Sequence, residues 1–391
     1  MKKIKDENKI LIMLAFFSIS TGLWGNFRQL WLQDNNFSVT QISSIISIGT
    51  FISVIGIALI GKYVKLDKMK KVLMSILIIK FINMLVLYGL NLTNQIEMIR
   101  LSIIIDIVME YIIITIMYPL ITTMVKNNTM YSKRQLTEYL FRDIGILFGG
   151  IFIGKSIAGI LVNYNICLII SNIFLAISIM TIADIKINYV EEKQNKKNSE
   201  MKYIFKSKII ILYLLDVFIG TIAMSTALGL KMLTLTNYFN FSDSVATNYL
   251  LIVGLIADII GIVALKYLTP KNDYLTITIK FGIRFIGYII AFVSDNLTIA
   301  LIAMTWSILI STAYENICDG VYINRVASKF QLQFANIRYI IKFLAEAIGV
   351  FFCGMMYEMG IKYMLGLSAI FMIFQIGLAY YLIHLRRIEN R

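Results

Sequence analysis

The sequence is poor in the residues on which polar chemistry depends. It has one histidine, three cysteines and two prolines in 391 residues, and charged residues make up only 15%. The cysteines show neither a disulfide framework nor a metal-binding spacing. The single histidine, His384, is not part of an HExxH motif, and no GxSxG motif is present. We therefore expect no enzyme, no metal site and no cofactor.

Long apolar runs are what the sequence has in place of polar chemistry. Hydrophobic residues make up 58% of the chain and the mean hydropathy is +0.76. Charges gather between apolar runs of about 20 residues, the length of a membrane-spanning helix. The runs are continuous, unlike the alternating strands of a membrane barrel. The prediction is an all-α integral membrane protein with twelve transmembrane helices, at 10–32, 42–61, 72–91, 99–121, 139–161, 165–186, 209–230, 245–266, 275–294, 298–318, 337–357 and 363–384.

The net charge of +14 is distributed by side of the membrane. Of the 37 Lys and Arg residues, 26 fall in the segments that share a side with the N-terminus, and only Arg28, Lys231 and Lys362 lie at opposite ends. This asymmetry follows the positive-inside rule and predicts that both termini are cytoplasmic. The basic charge therefore indicates a lipid bilayer as the surroundings and no nucleic acid. An Ile-, Lys- and Asn-rich composition suggests a multi-pass protein of a bacterial inner (plasma) membrane.

The chain also repeats itself. A shift of 200 residues aligns "IIKFINMLVLY" with "TIKFGIRFIGY" and "RDIGILFGGIFIG" with "KFLAEAIGVFFCG", and a shift of 205 aligns "GTFISVIGI" with "GLIADIIGI". The aligned pairs include Lys80/Lys280, Tyr88/Tyr288, Gly149/Gly349 and Gly154/Gly354. Six spans per half give two parallel six-helix repeats. The predicted domains are bundles at 1–185 and 209–391, joined by a cytoplasmic connector at 186–208.

One segment satisfies the pattern of a phosphate-binding loop. "GGIFIGKS" places Gly149, Gly154, Lys155 and Ser156 in the G-x-x-x-x-G-K-[ST] spacing. The motif needs a strand before it and a polar loop, and here it lies inside the fifth apolar span. The matching segment of the second half, "GVFFCGMM", keeps the glycines and loses Lys and Ser. These glycines therefore indicate close helix packing and not an ATPase.

Two parallel six-helix halves around a midplane site resemble the major facilitator superfamily. The loop "GKYVKLDKMKK" resembles the signature that follows the second span in that family, with Asp67, Lys68 and Lys71 in place. The resemblance implies that these residues help to hold the cytoplasmic side closed. Tyr63 and Lys70 stand where the signature has glycine.

The fifth span resembles a glycine pattern of proton-coupled exporters in the same family. "GIFIGKSIAG" supplies Gly150, Gly154 and Gly159, with Lys155 in place of proline. The residues expected to serve helix packing are thus Gly149, Gly150, Gly154, Gly159, Gly349 and Gly354.

Ionisable residues inside the spans are the strongest pointers to a site, since each costs about 2.5–3.5 kcal/mol at the bilayer centre. "IIIDIVMEYIII" places Asp106 and Glu110 one turn apart on one helix face. Lys155 is expected at the depth of Asp106, which predicts a pair. Glu110 then has no partner at its own depth and is our first choice for a proton carrier. A salt bridge from Glu110 to Arg142 or Arg100 is the alternative.

Further charges lie in the second half. Glu315 and Asp319 in the tenth span oppose Arg338 and Lys342 in the eleventh, as a gate or equally as a static brace. Asp216 and Asp258 are expected to pair with Lys280 or Arg284. The predicted proton-coupling residues are Glu110, Asp106, Asp216 and Glu315. The predicted gating residues are Asp67, Lys68, Lys71, Arg142, Asp319, Arg338 and Lys342.

By the same resemblance, the first, fourth, seventh and tenth spans line the substrate cavity. The residues that this implies as substrate contacts are Trp24, Asn26, Arg28, Gln29, Tyr111, Lys155 and Trp306. Trp31 is expected to anchor the span at the membrane interface, and Trp24 serves either role.

The resulting prediction is a secondary transporter that works by alternating access and the proton gradient, as a monomer. Export of small amphipathic compounds is preferred. Uptake of a metabolite such as an organic anion or peptide is the alternative, and a membrane sensor or intramembrane enzyme is disfavoured.

Overall fold

The computed structural model describes residues 6–25, 27–93, 95–124, 141, 144–145, 164–185, 208–267, 278, 282–325 and 331–389. Helices account for the regular structure throughout these ranges, and no strand occurs in them. The prediction of an all-α fold is confirmed for this part of the chain.

The helices of the first half follow the apolar runs of the sequence. They are α1 Asp6–Gly25, α2 Arg28–Asp34, α3 Val39–Tyr63, α4 Leu66–Thr93, α5 Ile96–Met124 and α6 Tyr164–Ala183. α3 begins with a capping box, in which the Ser38 hydroxyl accepts from the Gln41 N–H and the Gln41 side chain accepts from the Ser38 N–H.

The second half has the same kind of elements. They are α7 Lys208–Leu228, α8 Lys231–Leu233, α9 Asp243–Tyr267, α10 Arg284–Val293, α11 Leu297–Arg325, α12 Gln331–Met359 and α13 Ile361–Glu389. A short π-helical turn, Thr234–Tyr238, continues α8.

Eight helical stretches in the described residues are long and apolar enough to cross a membrane, and two more apolar helices, at Arg284–Val293 and Leu297–Ser311, are shorter. The length and composition of these helices indicate a multi-pass membrane protein. The count of twelve spans and the cytoplasmic termini remain predictions, because most of the expected fifth span lies outside the described ranges.

Two compact units make up the chain: Met1–Glu191 with Leu235–Ile252, and Glu192–Thr234 with Val253–Arg391. The predicted domain limits at 185 and 209 remain predictions.

The two halves repeat the same helix packing. In the first half α1 packs on α6, and α4 packs on α5 and α6. In the second half α7 packs on α13, and α10 packs on α11 and α13. These three helix pairs of the first half thus have equivalents in the second half.

Glycine packing fixes the register of the repeat. A Cβ on Gly349 would lie 2.9 Å from the Ile222 carbonyl oxygen, and a Cβ on Gly145 would collide with the Ile19 carbonyl oxygen. The helices come so close only because both positions lack a side chain. Gly145 and Gly349 are 204 residues apart, so for these two glycine-bearing helices the geometry supports an offset of 204 in place of the predicted 200. The difference is about one helical turn, which leaves the pattern of apolar faces unchanged and therefore escapes sequence matching.

Hydrogen bonds between the first and sixth helices of each half repeat as well. The Ser171 hydroxyl donates to the Ser20 carbonyl at 2.8 Å, and Ser368 donates to the Ala223 carbonyl at 2.5 Å. Seven residues further along α6, Ser178 donates to the Met13 carbonyl at 3.0 Å.

The second-half counterpart of that last bond differs in its side chain. Gln375 donates to the Asp216 carbonyl at 3.3 Å. At the other end of the sixth helix, Asn91 donates to Asn165 at 2.5 Å in the first half, where the second half has the ion pair Asp295–Lys362. Equivalent contacts in the two halves are thus made by different polar side chains.

The first helix of each half is interrupted at an equivalent place. α1 ends at Gly25 and α2 begins at Arg28; α7 ends at Leu228 and α8 begins at Lys231. In the first half, the interruption lies beside the charged residues described next.

Candidate functional site

Four charged side chains from three helices meet inside the first half, and we call them the charged cluster: Arg28, Lys80, Asp106 and Glu110. Arg28 Nη1 lies 3.2 Å from Asp106 Oδ2 and 3.2 Å from Glu110 Oε2. Arg28 is placed there by α2, which starts after the interruption of the first span, while α5 presents both acids one turn apart. A single guanidinium nitrogen is therefore shared between the two carboxylates.

Lys80 completes the charged cluster from α4. Its Nζ donates to Asp106 Oδ1, lies 3.4 Å from the Asp106 carbonyl oxygen, and is 3.8 Å from Glu110 Oε2. Lys80 is 1% exposed. A buried cation of this kind persists only when it is paired, and here two bases face two acids, so the formal charge of the charged cluster is zero.

The two acids are not equivalent. Asp106 is fully buried and bonds to both bases, whereas the Glu110 side chain is 16% exposed and its hydrogen bond comes from the shared Arg28 Nη1. The second Glu110 oxygen, Oε1, makes no hydrogen bond to any residue that the structure describes. Glu110 is thus the more accessible and less tightly held acid.

The expectation that Glu110 lacks a partner is wrong, because Arg28 and Lys80 both face it. Arg100, the alternative partner, pairs instead with Glu97 at 3.3 Å on the same helix. Lys155, which was expected to pair with Asp106, lies outside the described residues, as do Arg142 and Asn26.

Lys80 is the residue of the charged cluster that sequence reasoning missed as a site residue. Its sequence signal is a lysine in the middle of the apolar run "ILIIKFINML". The shift of 200 aligned it with Lys280, whereas the offset of 204 aligns it with Arg284, which is also buried. The third helix of each half therefore carries a buried base at the equivalent position.

The second half builds a different arrangement around its base. Arg284 Nη2 donates to Gln375 Oε1 at 2.6 Å, and Thr278 donates to Asp216 Oδ2 at 3.4 Å. Asp216 is fully buried. Its expected choice between Lys280 and Arg284 stays a prediction, since Lys280 lies outside the described part.

The predicted cavity residues differ in their surroundings. Trp24 and Trp31 are both buried, with ring centroids 5.5 Å apart in an edge-to-face arrangement. The expectation that Trp31 is an interface anchor is wrong, because its ring packs inside the protein on Trp24. Gln29 and Tyr111 are half-buried, and Trp306 on α11 is 44% exposed.

Asp67, Lys68 and Lys71, which were predicted to lie in a cytoplasmic loop, are exposed residues at the start of α4. Lys70, which replaces a glycine of the family signature, bonds the carbonyl oxygens of Ala183 and Ile185 at 3.1 and 2.5 Å. Lys70 thus caps the end of α6, where the exposed carbonyl oxygens favour a lysine.

The remaining gating and packing residues are only partly described. Arg338 is buried and Lys342 half-buried in α12, while the side chains of Glu315 and Asp319 on α11 fall outside the description. Gly349 packs on α7 as given above, and Gly354 is buried in α12. The other predicted packing glycines lie outside the described ranges: Gly149, Gly150, Gly154 and Gly159. In the described residues, no group of three or more His, Cys, Asp or Glu could hold a metal ion.

No protein-family profile and no characterised protein sequence matches the chain. Solved structures do resemble it. A bacterial homologue of the human lysosomal transporter Spinster has a TM-score of 0.73 at 12% identity, covering 96% of both chains. A D-xylose–proton symporter has a TM-score of 0.68 at 12% identity, covering 93% of this chain and 95% of the symporter.

A third similar structure carries the family name. FucP, described as a major facilitator superfamily transporter in the outward conformation, has a TM-score of 0.69 at 13% identity, covering 96% of this chain and 98% of FucP. All three structures are described as transporters or symporters. Identities this low show the fold alone, and the predicted resemblance is confirmed at that level: the chain has the major facilitator superfamily fold.

Proposed function

We propose that the chain is a proton-coupled secondary transporter that moves a small molecule by alternating access, with Glu110 as the group that takes up and releases the proton. The observation that carries the proposal is the inequality of the two acids in the charged cluster. Glu110 is partly exposed and shares one donor, while Asp106 is buried and bonded to two bases. An acid that can exchange its proton thus lies beside an acid that is held in place by two bases, which suits proton coupling.

Protonation of Glu110 has a direct electrostatic consequence. The charged cluster changes from zero to one positive charge, and Arg28 loses one of its two carboxylate partners. An unbalanced charge at this depth costs about 2.5–3.5 kcal/mol. The protonated form is therefore favoured only where a counter-charge or water reaches the charged cluster, which ties proton uptake to the state of the cavity.

The fold supports the transport part of the proposal, because major facilitator folds rock two halves around a central site. The proton gradient is the only energy source that the proposal needs, without a cofactor. A monomer in a bacterial inner membrane remains the expected setting.

The direction of transport is a separate matter. Export of small amphipathic compounds rests on the acidic fourth span and on the glycine pattern at 150–159, which lies outside the described residues. Uptake is the second candidate, and the observation in its favour is that one similar structure is described as a D-xylose–proton symporter.

The test uses purified protein in liposomes with a pH-sensitive dye trapped inside. A proton gradient is imposed without ATP, and lipophilic cations, organic anions and peptides are added in turn. The variant is Glu110→Gln. The matched control is Glu97→Gln, which makes the same change near the start of the same helix at an exposed carboxylate.

The proposal predicts that at least one class of compound moves protons with the wild type and Glu97→Gln, and that Glu110→Gln loses this movement. Equal proton movement by Glu110→Gln would remove Glu110 from the role and direct attention to Asp216 and Glu315. Proton movement with none of the compounds would reject proton coupling.

A further inference from the structure

The guanidinium of Arg28 has donors that bond to none of the described residues. Its hydrogen bonds to described residues all leave from Nη1, so Nε and Nη2 bond to no residue that the structure describes. A guanidinium carries five N–H donors in a rigid plane, and its free edge matches the two oxygens of a carboxylate.

The α1 residue beside Nη2 has no side chain. This residue is Gly25, and a Cβ on it would lie 3.8 Å from Arg28 Nη2 and 3.8 Å from Glu110 Oε1. A larger side chain at this position would cover the guanidinium edge and the accessible carboxylate oxygen together. Glycine leaves both open from the side of α1.

A second unused donor lies at the same end of α1. The indole Nε1 of Trp24 is buried and has no hydrogen-bond partner in the described part of the chain. Trp24 immediately precedes Gly25 and is one helical turn before Arg28 in sequence. A buried donor without an acceptor destabilises a protein, so such a group marks a place that a ligand acceptor can fill.

The same segment of the chain supplies buried aromatic rings. Trp24 packs on Trp31, and Phe27, in the interruption between α1 and α2, is fully buried. A ligand that fits these features has a negatively charged head group rich in hydrogen-bond acceptors and an apolar body.

From these observations we infer that the substrate is an organic carboxylate with an apolar body, bound through the Nε–Nη2 edge of Arg28, and that it travels with the proton on Glu110. The inference rests on the proposed function and names its substrate class. One proton enters at Glu110 and one anion enters at Arg28, so the charged cluster returns to zero charge when both are bound. The loaded site carries no net charge through the membrane.

The groups that face Glu110 support this pairing. Among the described residues they are Arg28 on α2, Lys80 on α4 and Asp106 on α5 itself. Both bases also contact Asp106, so protonation of Glu110 takes from Arg28 the second of its two carboxylate partners and leaves one positive charge in excess. A cationic substrate would meet one excess positive charge in the protonated site, which disfavours proton symport of cations.

The test measures binding of three matched probes to the purified full-length protein by thermal stabilisation. The probes are phenylacetate, phenylacetamide and phenethylammonium, which share a ring and differ in charge. We expect phenylacetate to bind at least tenfold more tightly than the other two. Because proton and anion bind together, its affinity should weaken by up to about tenfold per pH unit as the pH rises.

Two variants test the residues that the inference names. Glu110→Gln mimics the protonated acid, so it should keep the preference for phenylacetate and lose the pH dependence. Arg28→Lys keeps the charge and removes the planar edge, so it should lose the preference. Equal responses to the three probes, including no response to any, would overturn the carboxylate assignment, as would an unchanged pH dependence in Glu110→Gln.

Failure of this inference is distinguishable from failure of the proposed function. Proton movement driven by cations or neutral compounds and lost in Glu110→Gln would overturn the substrate class and leave the coupling intact. Binding with the expected pattern, but without proton movement in liposomes, would do the reverse.

Discussion

The substitution Lys80→Met removes the base on which Asp106 depends, and the structure sets the size of the effect. Asp106 has no exposed surface and accepts hydrogen bonds from Lys80 and from Arg28 at 3.2 Å. Without Lys80, Asp106 keeps only the hydrogen bond from Arg28 Nη1, which it shares with Glu110. Two negative charges then face one positive charge in the charged cluster. Removal of one partner from a buried pair costs about 3–5 kcal/mol.

Removal of both partners should be much less costly. In Lys80→Met with Asp106→Leu, the Arg28–Glu110 pair at 3.2 Å remains and the charge stays balanced. Replacement of a whole buried ion pair by apolar side chains is often neutral or stabilising. We therefore expect the double variant to be more stable than either single variant, although it carries both changes.

The assay is the free energy of unfolding in SDS-containing mixed micelles for the wild type, the two single variants and the double variant. Lys68→Met is the matched control, because Lys68 is an exposed lysine on the same helix, and it should change stability by less than about 0.5 kcal/mol. A loss below about 1 kcal/mol for Lys80→Met, or a double variant that loses the sum of the single losses, would refute the reasoning.

Two further predictions concern packing and pH. Gly349→Ala should destabilise the protein by about 1–3 kcal/mol, because its Cβ would lie 2.7 Å from Ser225 Cβ, whereas Gly61→Ala, with nothing within 4 Å, should change nothing in the same titration. The pKa of Asp295 is lowered by its hydrogen bond from Lys362 and by the charge of that lysine, so the pair stabilises the fold at neutral pH and loses this effect as the pH falls through the lowered value. Lys362→Met should raise the pKa of Asp295 towards its ordinary value, seen as a higher midpoint for carbodiimide labelling of that carboxylate, and an unmoved midpoint would contradict this.

Much of the fold was predictable because apolar length and charge position are local properties of the sequence. The helices α3 to α6 coincide with predicted spans, and the repeat in sequence appears as repeated helix packing. The register of the repeat was wrong by about one turn. A slip of that size keeps every apolar face in place, and only the close approach at Gly145 and Gly349 distinguishes the two registers.

The site was predictable in its residues more than in its contacts. Asp106 and Glu110 are visible as acids in an apolar run, and Arg28 as a base in the first span. Their meeting depends on the interruption after Gly25, which places Arg28 in a separate short helix. Lys80 was missed as a partner because a sequence shows the cost of a buried charge but not which helix faces it.

The measurement that tests coupling most directly compares two transport modes of Glu110→Gln in liposomes. Exchange of labelled for unlabelled substrate at equal concentrations needs no net proton movement, while accumulation against a gradient does. The account predicts that Glu110→Gln keeps exchange and loses proton-driven accumulation, with Glu97→Gln keeping both. Accumulation at wild-type levels in Glu110→Gln would contradict the assignment of the proton to this carboxylate.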